Sequence, residues 1–251
     1  MSTRLAFPRR RGARALLFIA GLALTAGLVN AQWRVRIEPN IPYDGRFTFV
    51  RLRYQVVSRS GWEFDYPQME RNFMTILNDL TTIKPHVRHS NVLDMDDPLL
   101  FRYPVAYLSE PGYWHPSARE AAGLRDWLLK GGFLIVDDFL LGQWTNFERS
   151  MRLVLPEALI TPLDVSHPVF QTFFGLTTLE GMHHPGTPRA TAQYLGIHEG
   201  NDPAKRLMVV INYNNDIGDY MEWSGEGWYA VNLSNDAYKL ATNYLIYGLT
   251  R

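Results

Sequence analysis

Cysteine is absent from all 251 residues of the chain. That absence removes disulfide cross-links, thiolate metal ligands and a cysteine nucleophile together, so the fold must rest on core burial. An excess of charge of either sign is missing too, since 25 basic residues face 25 acidic ones. Five of the basic residues, Arg4, Arg9, Arg10, Arg11 and Arg14, are the only charges among residues 1–31, leaving 20 against 25 and a net charge of −5 beyond them. Such a balance offers no basic stripe and excludes a nucleic-acid footprint. No GxSxG, GxxxxGKS/T or GxGxxG pattern occurs, which removes the nucleophile elbow, the phosphate loop and the dinucleotide fingerprint. Gly225-Glu226-Gly227 lacks the third glycine and the following helix. Internal repeats and low-complexity linkers are also missing.

What is present begins with an export signature. The arginines precede an apolar run over residues 15–29, a positive n-region followed by an h-region. Val29-Asn30-Ala31 supplies modest side chains for a signal peptidase, so residues 1–31 are expected to be a cleaved signal peptide. The alternative is an uncleaved inner-membrane anchor with the arginines on the cytoplasmic side. Either outcome places residues 32–251, read as a single domain, in the periplasm or cell envelope, with membrane contact only through an uncleaved N-terminus.

Beyond residue 31 the apolar pattern alternates between two periods. Residues 47–57 (FTFVRLRYQVV) read as a strand with one wetter face, and residues 67–80 place Met69, Phe73, Ile76, Leu77 and Leu80 at helical spacing. A short strand over 104–108 leads to Ser109-Glu110-Pro111-Gly112. Ser117 and Glu120 form a capping box for a helix reaching Lys130, with Leu124, Trp127 and Leu128 as its buried stripe. Residues 133–136 form an apolar run of the kind covered on both faces, ending in Asp137-Asp138. A helix over 146–155, a second apolar strand over 207–211 and a final helix over 235–249 complete the pattern, while 181–188 reads as a loop. Alternation of strands and helices predicts an α/β fold with a mostly parallel sheet and helices on both faces.

In such a sheet, ligands bind outside the carboxyl ends of the strands. Three exits are polar: Glu110 with Tyr113, Trp114 and His115; Asp137-Asp138; and Asn212 with Asn214, Asn215, Asp216 and Asp219. The candidate ligand-binding residues are therefore Glu110, Trp114, His115, Asp137, Asp138, Asn214 and Asp216. Consecutive residues leaving a strand point to opposite sides, so one of the two adjacent aspartates faces a ligand and the other serves the turn. His183-His184 lack the helical offset that aims two rings at one ion, and read as loop histidines. No spacing matches a calcium loop, so neither a metal nor another cofactor is assigned. Trp223 and Trp228 flank two glycines and are expected to stack on each other in a folded-back loop.

The run from Tyr107 to Trp114 (YLSEPGYW) and that from Leu124 to Asp138 (LRDWLLKGGFLIVDD) resemble the uncharacterised bacterial 4159 domain family, over roughly residues 34–250. The resemblance implies a cell-envelope location and a flavodoxin-like sheet akin to class I glutamine amidotransferases, whose cysteine sits on an elbow after a strand. Here Asp137-Asp138 follow the matching strand and no thiol exists, so glutaminase chemistry does not carry over. The expected function is a non-catalytic module that binds a small polar ligand or envelope protein partners. The alternative is a carboxylate- or metal-dependent hydrolase of the periplasm.

Overall fold

The computed structural model describes residues 36–56 and 61–251. Met1–Ile37 and Glu38–Arg251 separate into two units, and everything below concerns the second. Its strands are β1 (Phe49–Arg53), β2 (Ser90–Asp94), β3 (Val105–Ser109), β4 (Phe133–Asp137), β5 (Thr161–Pro162), β6 (Gln193–His198) and β7 (Leu207–Tyr213). The helices are α1 (Gln68–Leu80), α2 (Ala118–Leu129), α3 (Trp144–Val154), α4 (Ile217–Glu222) and α5 (Val231–Thr250). One sheet has the order β2-β1-β3-β4-β7-β6-β5.

Strands β2, β1, β3, β4 and β7 are parallel, whereas β6 pairs antiparallel with β7 and β5 antiparallel with β6. The sheet is therefore mixed. The antiparallel edge corrects the expectation of a flavodoxin-like sheet and gives no footing to an amidotransferase-like one. The α/β class stands, with helices on both faces.

Period-2 side chains assign the two faces. In β4, Leu134 and Val136 pack with Leu124, Trp127 and Leu128 of α2 and with Phe147 and Met151 of α3. Phe133 and Ile135 face the other way, onto Phe73 and Leu77 of α1 and Leu240, Tyr244 and Leu245 of α5. Helix α2 starts at the foreseen capping box, in which Ser117 Oγ accepts from the Glu120 amide at 3.2 Å and Glu120 Oε2 accepts from the Ser117 amide at 2.7 Å. It stops at Gly131, whose φ of +114° suits glycine alone.

The membrane expectations are corrected here as well. Among the described residues no helix is long and apolar enough to cross a membrane. The leader at 1–31 lies outside the described residues. An inner-membrane anchor, the contact it would make, the envelope location and envelope partners are accordingly not carried into the functional reading.

Candidate functional site

The register fixes where the polar exits meet. Ser109 of β3 pairs with Asp137 of β4, and Val136 of β4 pairs with Ile211 of β7. Ser109, Asp137 and Asn212 thus leave three neighbouring strands at one level. Strand β1, flanked by β2 and β3, sends the loop carrying Glu63 and Asp65 to the same end.

The two adjacent aspartates do different work. Asp137 is buried and accepts three hydrogen bonds: from Tyr107 OH at 2.7 Å, the Gly218 amide at 3.0 Å and Asn212 Nδ2 at 2.9 Å. Tyr244 OH in turn donates to Asn212 Oδ1 at 2.9 Å, tying α5 into the network. Burial pushes Asp137 up to about 6 against the pull of these donors. Asp138 adopts a left-handed backbone with φ +63° and brings its carboxylate to Ser109, His184 and Asp216. There Ser109 Oγ donates to its Oδ2 at 3.2 Å, and His184 Nε2 lies 3.2 Å from its Oδ1. Asp216 Oδ2 lies 3.9 Å from the same His184 nitrogen. One imidazole nitrogen and an oxygen from each of the two aspartates all lie within 4.8 Å of one another.

His184 is placed by backbone contacts. Its amide donates to the Asn214 carbonyl at 2.8 Å, and its Nδ1 accepts from the Gly186 amide at 2.9 Å. The neutral ring therefore carries its proton on Nε2, aimed at Asp138. To offer Nε2 to a cation, the ring would need its proton on Nδ1, which would cost the bond from the Gly186 amide.

A second group of carboxylates adjoins the first. Oxygens of Asp65, Asp219 and Glu222 also lie within 4.8 Å of one another. Burial, and then the charge of Asp138, hold Asp65 and Asp216 well above the ordinary carboxylate range. Burial, Asp138 and Glu63 push Glu110 up to about 9. Asp219 is raised mainly by burial, although Tyr229 OH donates to its Oδ2 at 2.6 Å. The Asp65 Oδ2 atom is buried without a hydrogen-bond partner among the described residues. A Cβ built on Gly218 would come within 2.5 Å of that oxygen and 2.8 Å of Tyr107 OH. Only glycine lets α4 approach this closely.

Behind the cluster lies Arg51, fully buried, with its Nε on Glu70 Oε1 at 2.5 Å and its Nη1 on the carbonyls of Trp62 and Phe64, both at 2.8 Å. It fastens the segment that presents Asp65. Left-handed backbones at non-glycine residues recur around the rim, at Asp65, Glu110, Asp138 and Asn214. Each costs on the order of 1 kcal/mol, and such strain gathers where function fixes geometry.

Of the residues singled out in the sequence, Asp138 and Asp216 meet, with Glu110 in their field. Asn214 holds the rim, its Oδ1 accepting from the Leu141 amide at 2.9 Å and its Nδ2 donating to the Thr191 carbonyl at 3.2 Å. Asp137 is an anchor. Trp114 is part of the core and fully buried, its carbonyl accepting from Asn146 and Ser150. His115 is exposed. Asp65 and Glu222 are additions the sequence did not single out, and His184, read there as a loop histidine, joins them; they come from a loop after β1, the end of α4 and a loop before β6. The only local sign was the presence of small and turn-forming residues around them.

The chain has no cysteine, so the thiolate mechanism of glutamine amidotransferases is not open to it. No curated protein matches the chain. A domain family described as a domain of unknown function matches residues 48–249, the span that holds every strand of the sheet and every residue of the acidic rim. By that match, the chain belongs to the DUF4159 family.

Proposed function

We propose that the acidic rim is the cation-dependent centre of a hydrolase. The observation that carries this reading is the meeting of Asp138, His184 and Asp216, three ligand-type side chains from separate loops, with their ligand atoms within 4.8 Å. It favours the carboxylate- or metal-dependent hydrolase over a non-catalytic module, since a passive pocket has no need to gather like charges away from water.

The donor set suits a divalent ion that accepts both oxygen and imidazole nitrogen, such as zinc or manganese. When bound, the ion supplies a water of lowered pKa and relieves the repulsion among the carboxylates. Asp138 and Asp216 would hold the ion, together with His184 in the tautomer that frees Nε2. Glu110, which burial holds above the ordinary carboxylate range, is the proposed acid for the leaving group. Asp137 keeps Tyr107, Asn212 and α4 in place and takes no part in proton transfer.

The test is calorimetric titration of the full chain with zinc and manganese, followed by assays on ester, amide and glycoside panels with and without chelator. Binding of one of the two ions and chelator-sensitive turnover are expected. Asp138→Asn should lower turnover at least about a hundredfold. Absence of binding, or turnover indifferent to both chelator and Asp138→Asn, would sink the reading.

A further inference from the structure

Beside the rim, between α1 and the turn after α4, lies a cavity of about 430 Å³. Glu222 belongs both to this cavity and to the second carboxylate group, so the cavity borders that group at Glu222. Its wall includes Gln68, Asn72 and Thr75 of α1, with Trp223 and Tyr238 opposite. None of its lining residues is a lysine or an arginine, which makes it unsuited to a phosphate or carboxylate ligand.

One edge of the cavity is aromatic. The Trp223 and Trp228 rings stack with centroids 4.8 Å apart and an interplanar angle of 23°. The pair does form the self-stacked loop expected from the sequence, but the stack is not closed: Trp228 remains 70% exposed. An indole backed by a second indole is a stiff flat platform, and leaving so much of it in water is unfavourable unless something covers it. The opposite wall is fixed by Asn72, whose Nδ2 donates to the Met221 and Glu222 carbonyls at 2.8 and 2.9 Å while its Oδ1 accepts from Gln68 Nε2 at 2.7 Å. These bonds pin the turn that carries Glu222 and Trp223. The wall thus offers donors and acceptors together, from amide, hydroxyl and carboxylate groups.

We infer that this cavity is a carbohydrate-binding subsite, in which a sugar ring packs on Trp223, backed from outside the cavity lining by Trp228, and its hydroxyls bond to the wall formed by Gln68, Thr75 and Glu222. A sugar presents exactly the pairing required, an apolar ring face beside hydroxyls that both donate and accept. An ammonium ligand would be served by acceptors alone; Glu222 and Glu226 could attract one, but the amides of α1 would go unused. The inference rests on the hydrolytic reading in one respect only: it names a glycan or a substituted sugar as what the acidic rim acts upon.

The experiment titrates the full chain with cellotetraose, chitotetraose and maltotetraose and follows tryptophan fluorescence, without added metal. At least one should give a saturable change at millimolar concentration. Trp228→Ala should weaken that binding by about tenfold or more. Thr75→Arg, at an exposed position on α1 that lines the cavity, should block it while leaving the melting temperature unchanged. Asp138→Asn should bind the sugar as the unaltered chain does. Sugar binding without any turnover would thus remove the hydrolase and keep the subsite. Silence from all three sugars overturns the inference, as does binding indifferent to both Trp228→Ala and Thr75→Arg. So does loss of binding in Asp138→Asn, or saturation by spermidine where the sugars have no effect.

Discussion

At the scale of single residues, Asp137 and Asp138 show how one backbone step divides structure from chemistry. Asp137 answers three donors, so Asp137→Asn brings an amide hydrogen against at least one of them and should destabilise the fold by about 1–3 kcal/mol. Asp138 answers Ser109 and His184 amid a crowd of carboxylates, and asparagine tolerates its left-handed backbone at least as well. Asp138→Asn should therefore stabilise the metal-free protein, by about 1 kcal/mol, while abolishing cation binding. Urea midpoints for the two variants, moving in opposite directions, check the pair. Arg51→Met strands Glu70 without its partner and releases the segment before Asp65, and should cost about 3–5 kcal/mol by the same measurement. The alternation rule only points adjacent side chains to opposite faces. It could not foresee the left-handed backbone of Asp138, nor that Tyr107 and Asn212 reach Asp137 from neighbouring strands.

Among the secondary-structure elements, α4 is short but decisive, because its Gly218 lies against Asp65 and Tyr107. Gly218→Ala should push α4 off the rim and weaken cation affinity at least about tenfold, read by calorimetry, even though alanine is the better helix former. Elements with strong periodicity were legible in the sequence: β1, α1, β3, α2, β4, α3, β7 and α5 all fall where apolar spacing placed them, within a few residues. Strand β2 was not, because SNVLD holds only two apolar side chains and buries Ser90 and Asn91 in place of others. In strand β6 (QYLGIH) Gly196 interrupts the apolar pattern; a Cβ there would come within 2.5 Å of Leu207. The sheet is largely parallel as expected, and those two gaps explain why its antiparallel edge was not foreseen, since β6 is what turns the edge antiparallel. His184 was read as a loop histidine for a related reason: a loop between prolines and glycines has no period, and its position is set by the Asn214 carbonyl just beyond β7.

For the molecule as a whole, the rim couples stability to pH. Asp65, Glu110, Asp216, Asp219 and Glu222 are all held above their ordinary values, chiefly by burial. The folded state then binds more protons than the unfolded one between the ordinary carboxylate range, about 4, and the raised values, which reach about 9 for Glu110. Stability of the metal-free chain should accordingly fall as pH rises through that window. Added cation should restore it most at the alkaline end, and melting curves from pH 5 to 9, with and without zinc, check both signs. A further consequence concerns synthesis. The chain supplies Asp138, His184 and Asp216 in that order, one from each of three separate stretches, so no growing chain that stops short of Asp216 holds a complete set. A nascent chain on the ribosome therefore lacks the full set until every strand of the sheet has been made.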